Sequence, residues 1–510
     1  MQFNNSQLKA VKHKTGPMLV IAGPGSGKTT VLTARIRNLI EEYSVNPANI
    51  LVITFTKAAA NEMKSRFNNM MGRSTNVTFG TFHAVFFMIL RAAYNYSVDS
   101  IIKEDVRQNI IKQAIERSRL EPDDLNEMVS NITGEISRVK TETIDINAYY
   151  SASCPEEEFR DIYKYYVKTL KKMGLIDFDD MLLYCHELLT TRRDILAKWQ
   201  QKYQYILIDE FQDINKIQYD IIKLLAKPQD NLFIVGDDDQ SIYGFRGSKP
   251  EIMLNFDKDY PDTDKVILDT NYRSTGNIVS AAGKVIAHNK VRFAKNINTV
   301  NDPGDKVDII EFNTQAEEYE KIIDNIRKES ASGGNYSDNA VLFRTNSTAA
   351  GFVRKLVEYS VPFVTRDGVP NVFEHWIARD VITYMNIAMG SRKRSDFLQI
   401  INRPKRYIGR DYLTDAEISF DNLEKYYEDK NWMIERVDRL KYDILAMASM
   451  SPYAMINYLR KGVGYDGYLD EYAQSHNMQV RELYDVMDEL MESARNFKTF
   501  NEWFAYIDEY

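Results

Sequence analysis

The 510-residue chain contains only two cysteines, Cys154 and Cys185. They are too few and too far apart for a disulfide framework or a zinc site. Its six histidines (His13, His83, His186, His288, His375, His476) are scattered with no metal-ligand spacing, which argues against a metalloenzyme. No uninterrupted apolar stretch is long enough to span a bilayer, and Met1-Gln2-Phe3-Asn4-Asn5 lacks the apolar segment of a secretory leader. A reducing cytoplasm is therefore the default expectation. Positive charge is also lacking: 65 Lys and Arg against 73 Asp and Glu leave a net charge of −8. That excludes a uniformly basic nucleic-acid coat, so any DNA binding has to come from a local groove whose field differs from the global one. What remains, 44% hydrophobic and 27% charged, is an ordinary globular composition, and the length predicts roughly three or four domains.

The strongest positive signal is Ala22-Gly23-Pro24-Gly25-Ser26-Gly27-Lys28-Thr29-Thr30. It lies between an apolar run, Met18 to Ile21, and an amphipathic stretch, Val31 to Ile40. Glycines let backbone N–H groups point inward at phosphate oxygens, at a helix N-terminus that already favours anions. Lys28 then reaches the β- and γ-phosphates of ATP, and the Thr29 hydroxyl holds Mg²⁺. Ala22 departs from the strict pattern, where glycine is usual. A second apolar run, Tyr205 to Ile208, delivers Asp209 and Glu210 at its end, where α/β sheets place chemistry. Asp209 suits the Mg²⁺ shell and Glu210 a base for the attacking water. Many strands end in polar turns without any such role, so the pair gains weight only beside the phosphate loop.

A third run, Leu232 to Val235, leads into Gly236-Asp237-Asp238-Asp239-Gln240-Ser241-Ile242-Tyr243-Gly244-Phe245-Arg246-Gly247. Gln240 can bond a γ-phosphate, and Tyr243 and Phe245 offer faces for bases beside the Arg246 cation, unless these rings are ordinary core residues. A fourth, Val266-Ile267-Leu268-Asp269-Thr270-Asn271-Tyr272-Arg273-Ser274-Thr275, carries Arg273, a candidate finger for charge on the transferred phosphoryl group.

In this order, the four segments resemble the UvrD/Rep/PcrA family of superfamily 1 DNA helicases. Asn4 to Val11 resembles that family's glutamine motif, Ile53 to Met63 its first DNA-contacting motif, and Thr78 to His83 and Gly174 to Met181 two further signatures. The resemblance implies that Gln7 reads the adenine edge, Arg35 and Tyr272 lie near the nucleotide with Tyr272 stacked on the base, and Arg273 is an arginine finger. It sets Phe55, Thr56, Lys57, His83, Tyr243, Phe245 and Arg246 along the single strand. Phe245 stands where the family usually has tryptophan. Asn402 to Gly409 is similar to the loop that family members press against duplex, which brings in Arg403, Lys405 and Arg406. Tyr407 stands there in place of a usual glycine, and a solvated basic turn is the alternative reading.

The implied fold is α/β, a P-loop NTPase with two RecA-like parallel-sheet motor domains, the second incomplete, each carrying a helical insert. Residues 1–83 and 201–265 would form the first motor domain, 84–200 its insert, 266–376 the second motor domain and 377–510 its insert. Strands are expected at Lys306 to Phe312 and Ala340 to Phe343 around a helix, Glu317 to Ile326. Two later family segments, Thr-x-His-x-x-Lys-Gly-Leu-Glu and Met-Thr-Arg-Ala, do not occur in the sequence. A fragment of a longer helicase is therefore expected. The implied activity is ATP-driven 3′→5′ movement on single-stranded DNA with unwinding at single-strand/duplex junctions, open to accessory repair or replication proteins. The alternative is a non-catalytic helicase remnant that binds nucleotide, DNA or a protein partner.

Overall fold

The computed structural model describes residues 3–118, 120, 125–244, 247–344, 349–365, 371–475 and 478–509. The chain forms two units, Met1–Ile309 and Ile310–Tyr510. Among the described residues no helix is long and apolar enough to cross a membrane.

The first unit is built on six parallel strands: β1 (Met18–Ala22), β2 (Ile50–Thr54), β3 (Thr78–Thr81), β4 (Tyr205–Ile208), β5 (Leu232–Gly236) and β6 (Asp264–Leu268), in the order β3-β2-β4-β5-β1-β6. β1, β2, β4 and β5 are buried along their whole length, as strands covered on both faces must be, which is why they read as continuous apolar runs. Alternation still sorts their side chains. Met18, Val20, Leu207, Phe233 and Val235 pack under α2 (Lys28–Glu41) and α3 (Lys57–Met71), which follow the short helix α1 (Asn5–Lys12). Leu19, Ile21, Ile206, Ile208 and Ile234 face the other layer. Parallel strands need crossover connections, so the loops leaving β1, β4 and β5 gather at one edge of the sheet.

The stretch between β3 and β4 is helical: α4 (Phe82–Ala93), α5 (Glu104–Arg117), α6 (Leu125–Thr141), α7 (Glu156–Met173), α8 (Phe178–Thr191) and α9 (Arg193–Lys202). A separate core forms only from α5 to α7, around Ile110, Ile111, Ile132, Ile136 and Phe159. The first and last helices pack on the sheet instead, through Phe86, Ile89, Leu182 and Leu189. The α5–α7 segment is thus the part of this helical stretch that packs on itself. Buried Lys140 ties it down, its Nζ lying 2.7 Å from both Asp177 and Asp180.

After β4 come α10 (Lys216–Ala226), the short α11 (Pro250–Leu254) and α12 (Phe256–Asp259), and α13 (Gly276–Ile286). β6 pairs with β1 from Met18↔Asp264 to Ala22↔Leu268 and so joins the first sheet. One expectation about the strands that follow fails here: Lys306 to Phe312 and Ala340 to Phe343 do not form strands. Among the described residues the ladder beyond β6 is the two-residue parallel pair β7 (Thr270–Asn271) and β8 (Asn298–Thr299). Apolar runs become strands only with neighbours to complete their hydrogen bonds and cover them; Ile309 and Leu342 are instead each 92% exposed.

In the second unit, α14 (Gln315–Ala331) and α15 (Ala349–Glu358) share a small core of Tyr319, Ile323, Ile326, Phe352 and Leu356. The expected helix at 317–326 lies within α14. From Trp376 the chain is helical: α16 (Trp376–Ala388), α17 (Arg394–Ile400), α18 (Phe420–Tyr426), α19 (Asn431–Met447) and further helices to Glu509 enclose Val381, Tyr384, Phe397, Leu440 and Trp503. Arg354 donates to the Glu489 carboxylate at 2.8 Å. Burial nonetheless pushes the Glu489 carboxyl up to about 7, against the pull of Arg354. The folded chain therefore keeps a proton that the unfolded chain releases near 4.5, so this contribution is complete below about pH 4.5 and is lost as pH rises through 7. Thermal unfolding followed at pH 5, 6, 7 and 8 should show a midpoint that falls with pH. The fall should be shallower in Glu489→Gln, the difference amounting to at most about 3 kcal/mol. Parallel pH profiles for the two proteins would contradict this assignment.

Candidate nucleotide and DNA site

β1 ends at Ala22, which is fully buried in the sheet core, so the methyl group that departs from the usual glycine fits without cost to the loop beyond it. The chain then turns through Gly25 and Gly27, at φ +65° and +82°. A side chain in this left-handed region costs roughly 1–2 kcal/mol. Gly25 is also pressed against β7 and the residues after it: a Cβ there would lie 2.8 Å from the Asn271 amide nitrogen and 2.9 Å from Arg273 Cβ. Asn271 Nδ2 donates to Pro24 O at 2.7 Å and Tyr272 N to Gly25 O at 3.0 Å. Asn271 Oδ1 accepts from the backbone of Arg273 and Ser274. The bend that carries Tyr272 and Arg273 is thus fixed against the phosphate loop. Gln7 closes another side. Its Nε2 donates to Ser26 O at 3.1 Å, and Asn4, its partner in the α1 capping box, donates to the Tyr272 hydroxyl at 2.9 Å. Gly23, Ser26, Thr29 and Thr30 complete the loop and first turn of α2, with the Ser26 hydroxyl donating to Gly23 O and the Thr30 hydroxyl accepting from Arg66.

Across the sheet edge, Lys28 Nζ lies 2.9 Å from Glu210 Oε2. Glu210 follows Asp209 at the end of β4 and has φ +50°, a strained value for a non-glycine residue. Burial, with the Glu210 charge beside it, pushes the Asp209 carboxyl up to about 6 despite Lys28. Asp213 is raised to about 6 for the same reasons, and its Oδ1 is buried with no hydrogen-bond partner. Carboxylates whose charge is penalised in this way are relieved by a divalent cation, and Asp209 and Asp213 supply hard oxygens of the kind Mg²⁺ takes.

A polar chain runs on from this pair. Gln212 Nε2 donates to Glu210 Oε2 at 2.9 Å, and Gln212 Oε1 accepts from Asp237 N at 3.0 Å. Gly236 leaves the room for it, since a Cβ there would meet Gln212 Oε1 at 2.6 Å. Asp237 Oδ2 accepts from Gln240 Nε2 at 2.7 Å, so Gln240 is held on the same turn. Lys295, buried, lies 2.5 Å from Asp237 and Asp238 and 2.8 Å from Asp239, and Arg292 lies 2.5 Å from Asp239.

Beyond the turn, Tyr243 stacks on Phe55 with centroids 4.9 Å apart and planes at 30°. The Thr56 hydroxyl caps α3 by accepting from Ala59 N at 3.1 Å, and Lys57, the first residue of that helix, is exposed. Ring edge and ring face meet between His83 and exposed Phe178, 5.6 Å apart at 87°. Burial lowers the His83 pKa and favours its neutral form. Phe245 and Arg246 lie outside the described residues.

Two families of sequence models match this chain: the UvrD/REP helicase N-terminal domain over residues 3–261 and the UvrD-like helicase C-terminal domain over 266–508. The chain belongs to the UvrD/Rep helicase family. It is similar to a putative ATP-dependent DNA helicase, YjcD, of Bacillus subtilis, 32% identical over 99% of this chain and 68% of that protein. PcrA, an ATP-dependent DNA helicase of Staphylococcus epidermidis, is 33% identical over 97% of this chain and 70% of its own. PcrA of Leuconostoc citreum is 36% identical over 81% and 56%. ATP-dependent DNA helicase is therefore the enzymatic class of this UvrD/Rep-type chain.

Three arginines expected at ligands in this UvrD/Rep-type protein are committed elsewhere. Arg35 is buried: its guanidinium donates to His13 O and lies 4.4 Å from the Phe233 ring centroid. Arg406 is 8% exposed and spends its donors on the carbonyls of Ile400, Ile401 and Pro404 and on the Tyr384 hydroxyl. Arg403 Nη1 donates to buried Asp380 at 3.0 Å. Arg403 and Arg406 spend their donors on interior carbonyls, a hydroxyl and a carboxylate, which leaves little for a phosphate, whereas Arg35 Nε is buried without a partner. Lys405 alone of that basic loop is exposed. Phe178, Gln212, Asp213, Lys295 and Arg292 carry no role in the sequence analysis. Phe178 lies within the Gly174 to Met181 signature and Gln212 and Asp213 closely follow Glu210, whereas nothing local marks Lys295 and Arg292.

Proposed function

We propose that the chain moves 3′→5′ along single-stranded DNA, coupling ATP hydrolysis to separation of the strands at single-strand/duplex junctions. The observation that carries this reading is the 2.9 Å Lys28–Glu210 pair beside buried Asp209, at the mouth of a glycine loop. Lys28 exchanges Glu210 for the β- and γ-phosphates, whose other oxygens meet the loop amides. Thr29 and Asp209, with Asp213 behind, would hold Mg²⁺, which supplies neutralisation of phosphate charge. Glu210, released from Lys28, orients the attacking water and takes its proton. Arg273 meets the charge growing on the γ-phosphoryl group, while Gln7 and Tyr272 hold the adenine. Loss of the Lys28 contact leaves Gln212 as the partner of Glu210, and a shift of Gln212 bears on Asp237, Gln240 and the turn ending at Tyr243. That chain of hydrogen bonds supports coupling of nucleotide state to the Phe55–Tyr243 stack.

Phe55, Tyr243 and Phe178 stack on bases of any identity, and Lys57 and Lys64, both exposed, attract the backbone, so sequence preference should be low. Affinity for oligo(dT) should fall with salt, with a log–log slope of about −2 or steeper for three or more phosphate contacts. Titrations from 50 to 300 mM salt check this, and a flat response would contradict it. A second reading, a nucleotide- and DNA-binding module without transduction, is favoured by one observation: residues 306–312 and 340–343 form no second sheet. Turnover by this chain is accordingly expected to be slow, and stimulation of ATPase by DNA separates the two readings.

A further inference from the structure

We infer that Arg292, Lys295 and Thr299 are positioning residues that join the Arg273 bend to the base-stacking turn at Tyr243, an inference that rests on the DNA-helicase reading. They lie on the segment that connects α13 to β8, and this segment touches three parts of the site in succession. At one end, Arg292 and Lys295 grip Asp237, Asp238 and Asp239, the residues that open the turn after β5, and Phe293 N donates to Asp238 Oδ2 at 2.8 Å. In the middle, Ile297 lies against the phosphate loop, where a Cβ on Gly23 would collide with its side chain. At the other end, Asn298 and Thr299 pair with Thr270 and Asn271. The Thr299 hydroxyl donates to the bend that carries Tyr272 and Arg273, lying 2.9 Å from Asn271 O and 3.0 Å from Ser274 O.

The chemistry of the two ends makes the segment a link rather than a cover. Three consecutive carboxylates, with side chains 0%, 2% and 10% exposed, face a lysine that is itself 1% exposed. Charges buried to this degree are tolerated only while paired, so segment and turn shift as one body or the pairs break at high cost. At the far end the ladder is only two residues long, which leaves the Thr299 hydroxyl a sizeable part of the hold on the bend. When Arg273 moves onto the γ-phosphate, Asn271 and Ser274 carry Thr299 with them. The pull then reaches Asp237, whose Oδ2 holds Gln240, and from there the turn to Tyr243. The Gln212 chain meets the same Asp237 from the Glu210 side. The turn is therefore gripped from both sides of the nucleotide.

Lys295→Met would strand buried aspartates and threaten the fold, so the two ends are changed instead. Thr299→Val keeps the size and removes the hydroxyl, and Arg292→Ala leaves Asp239 its bond to Lys295. The full chain is titrated with (dT)16 without and with saturating Mg²⁺ and a non-hydrolysable ATP analogue. In wild type the analogue should change (dT)16 affinity by about five-fold or more. In each variant that factor should shrink below about two-fold, while affinity for (dT)16 alone and for the analogue alone stays within about two-fold of wild type and the melting midpoint holds. A mere structural brace would move those single-ligand affinities, and their loss would overturn the positioning role. Coupling as large as that of wild type in both variants would also overturn it, with the helicase reading intact. A wild type that binds both ligands without coupling would overturn the helicase reading and this link together.

Discussion

Lys28→Ala should lower ATP affinity below detection in a fluorescent-nucleotide titration and reduce turnover by about 10³-fold or more, while oligo(dT) binding changes little. Removing one preorganised charge-stabilising donor typically costs about 10²–10³ in rate, and Lys28 additionally carries ground-state phosphate binding. The substitution leaves Glu210 with Gln212 as a hydrogen-bond partner and partly exposed, so the fold should tolerate the loss of the pair. The Phe55–Tyr243 stack and Lys57, at the start of α3, lie on other segments of the chain and should remain in place. Parallel loss of nucleotide and DNA binding, with an altered circular dichroism spectrum, would instead mean that Lys28 holds the fold.

Glu210→Gln separates binding from chemistry. Turnover should drop about 10²–10⁴-fold through loss of the base. Affinity for ATP should stay level or rise several-fold, because glutamine no longer competes with phosphate for the Lys28 ammonium. Single-turnover kinetics with pre-bound nucleotide isolate the chemical step, and an unchanged rate there would remove Glu210 from that role.

The residues of the pocket were legible because each is set by local rules. Gly25 and Gly27 supply positive φ, Lys28 opens α2, and Asp209 and Glu210 terminate a buried strand. Phe55 and Tyr243 are both expected along the single strand, but that their rings stack on each other is a product of the fold. What the sequence could not show is settled by packing. Arg35, Arg403 and Arg406 look like ligand-facing cations, but a guanidinium points wherever carbonyls and carboxylates collect, and their partners His13, Asp380 and Ile400 are distant in kind from any motif. Lys295 answers three consecutive aspartates at the end of β5 from a stretch some 57 residues downstream, a pairing that only the fold creates. The apolar runs at 306–312 and 340–343 carry strand composition, yet pairing is a property of neighbours, and no ladder covers them. Tyr407 keeps the left-handed turn expected of glycine, so the substitution altered what the loop displays rather than how it bends.

The account stands on a nucleotide pocket whose state is read by a DNA track. ATP turnover by the 510-residue chain, measured with and without saturating oligo(dT) at fixed Mg²⁺, tests it most directly. The expected result is slow turnover that rises several-fold with DNA and vanishes in Lys28→Ala. Equal rates with and without DNA, from a chain that demonstrably binds both, would contradict it.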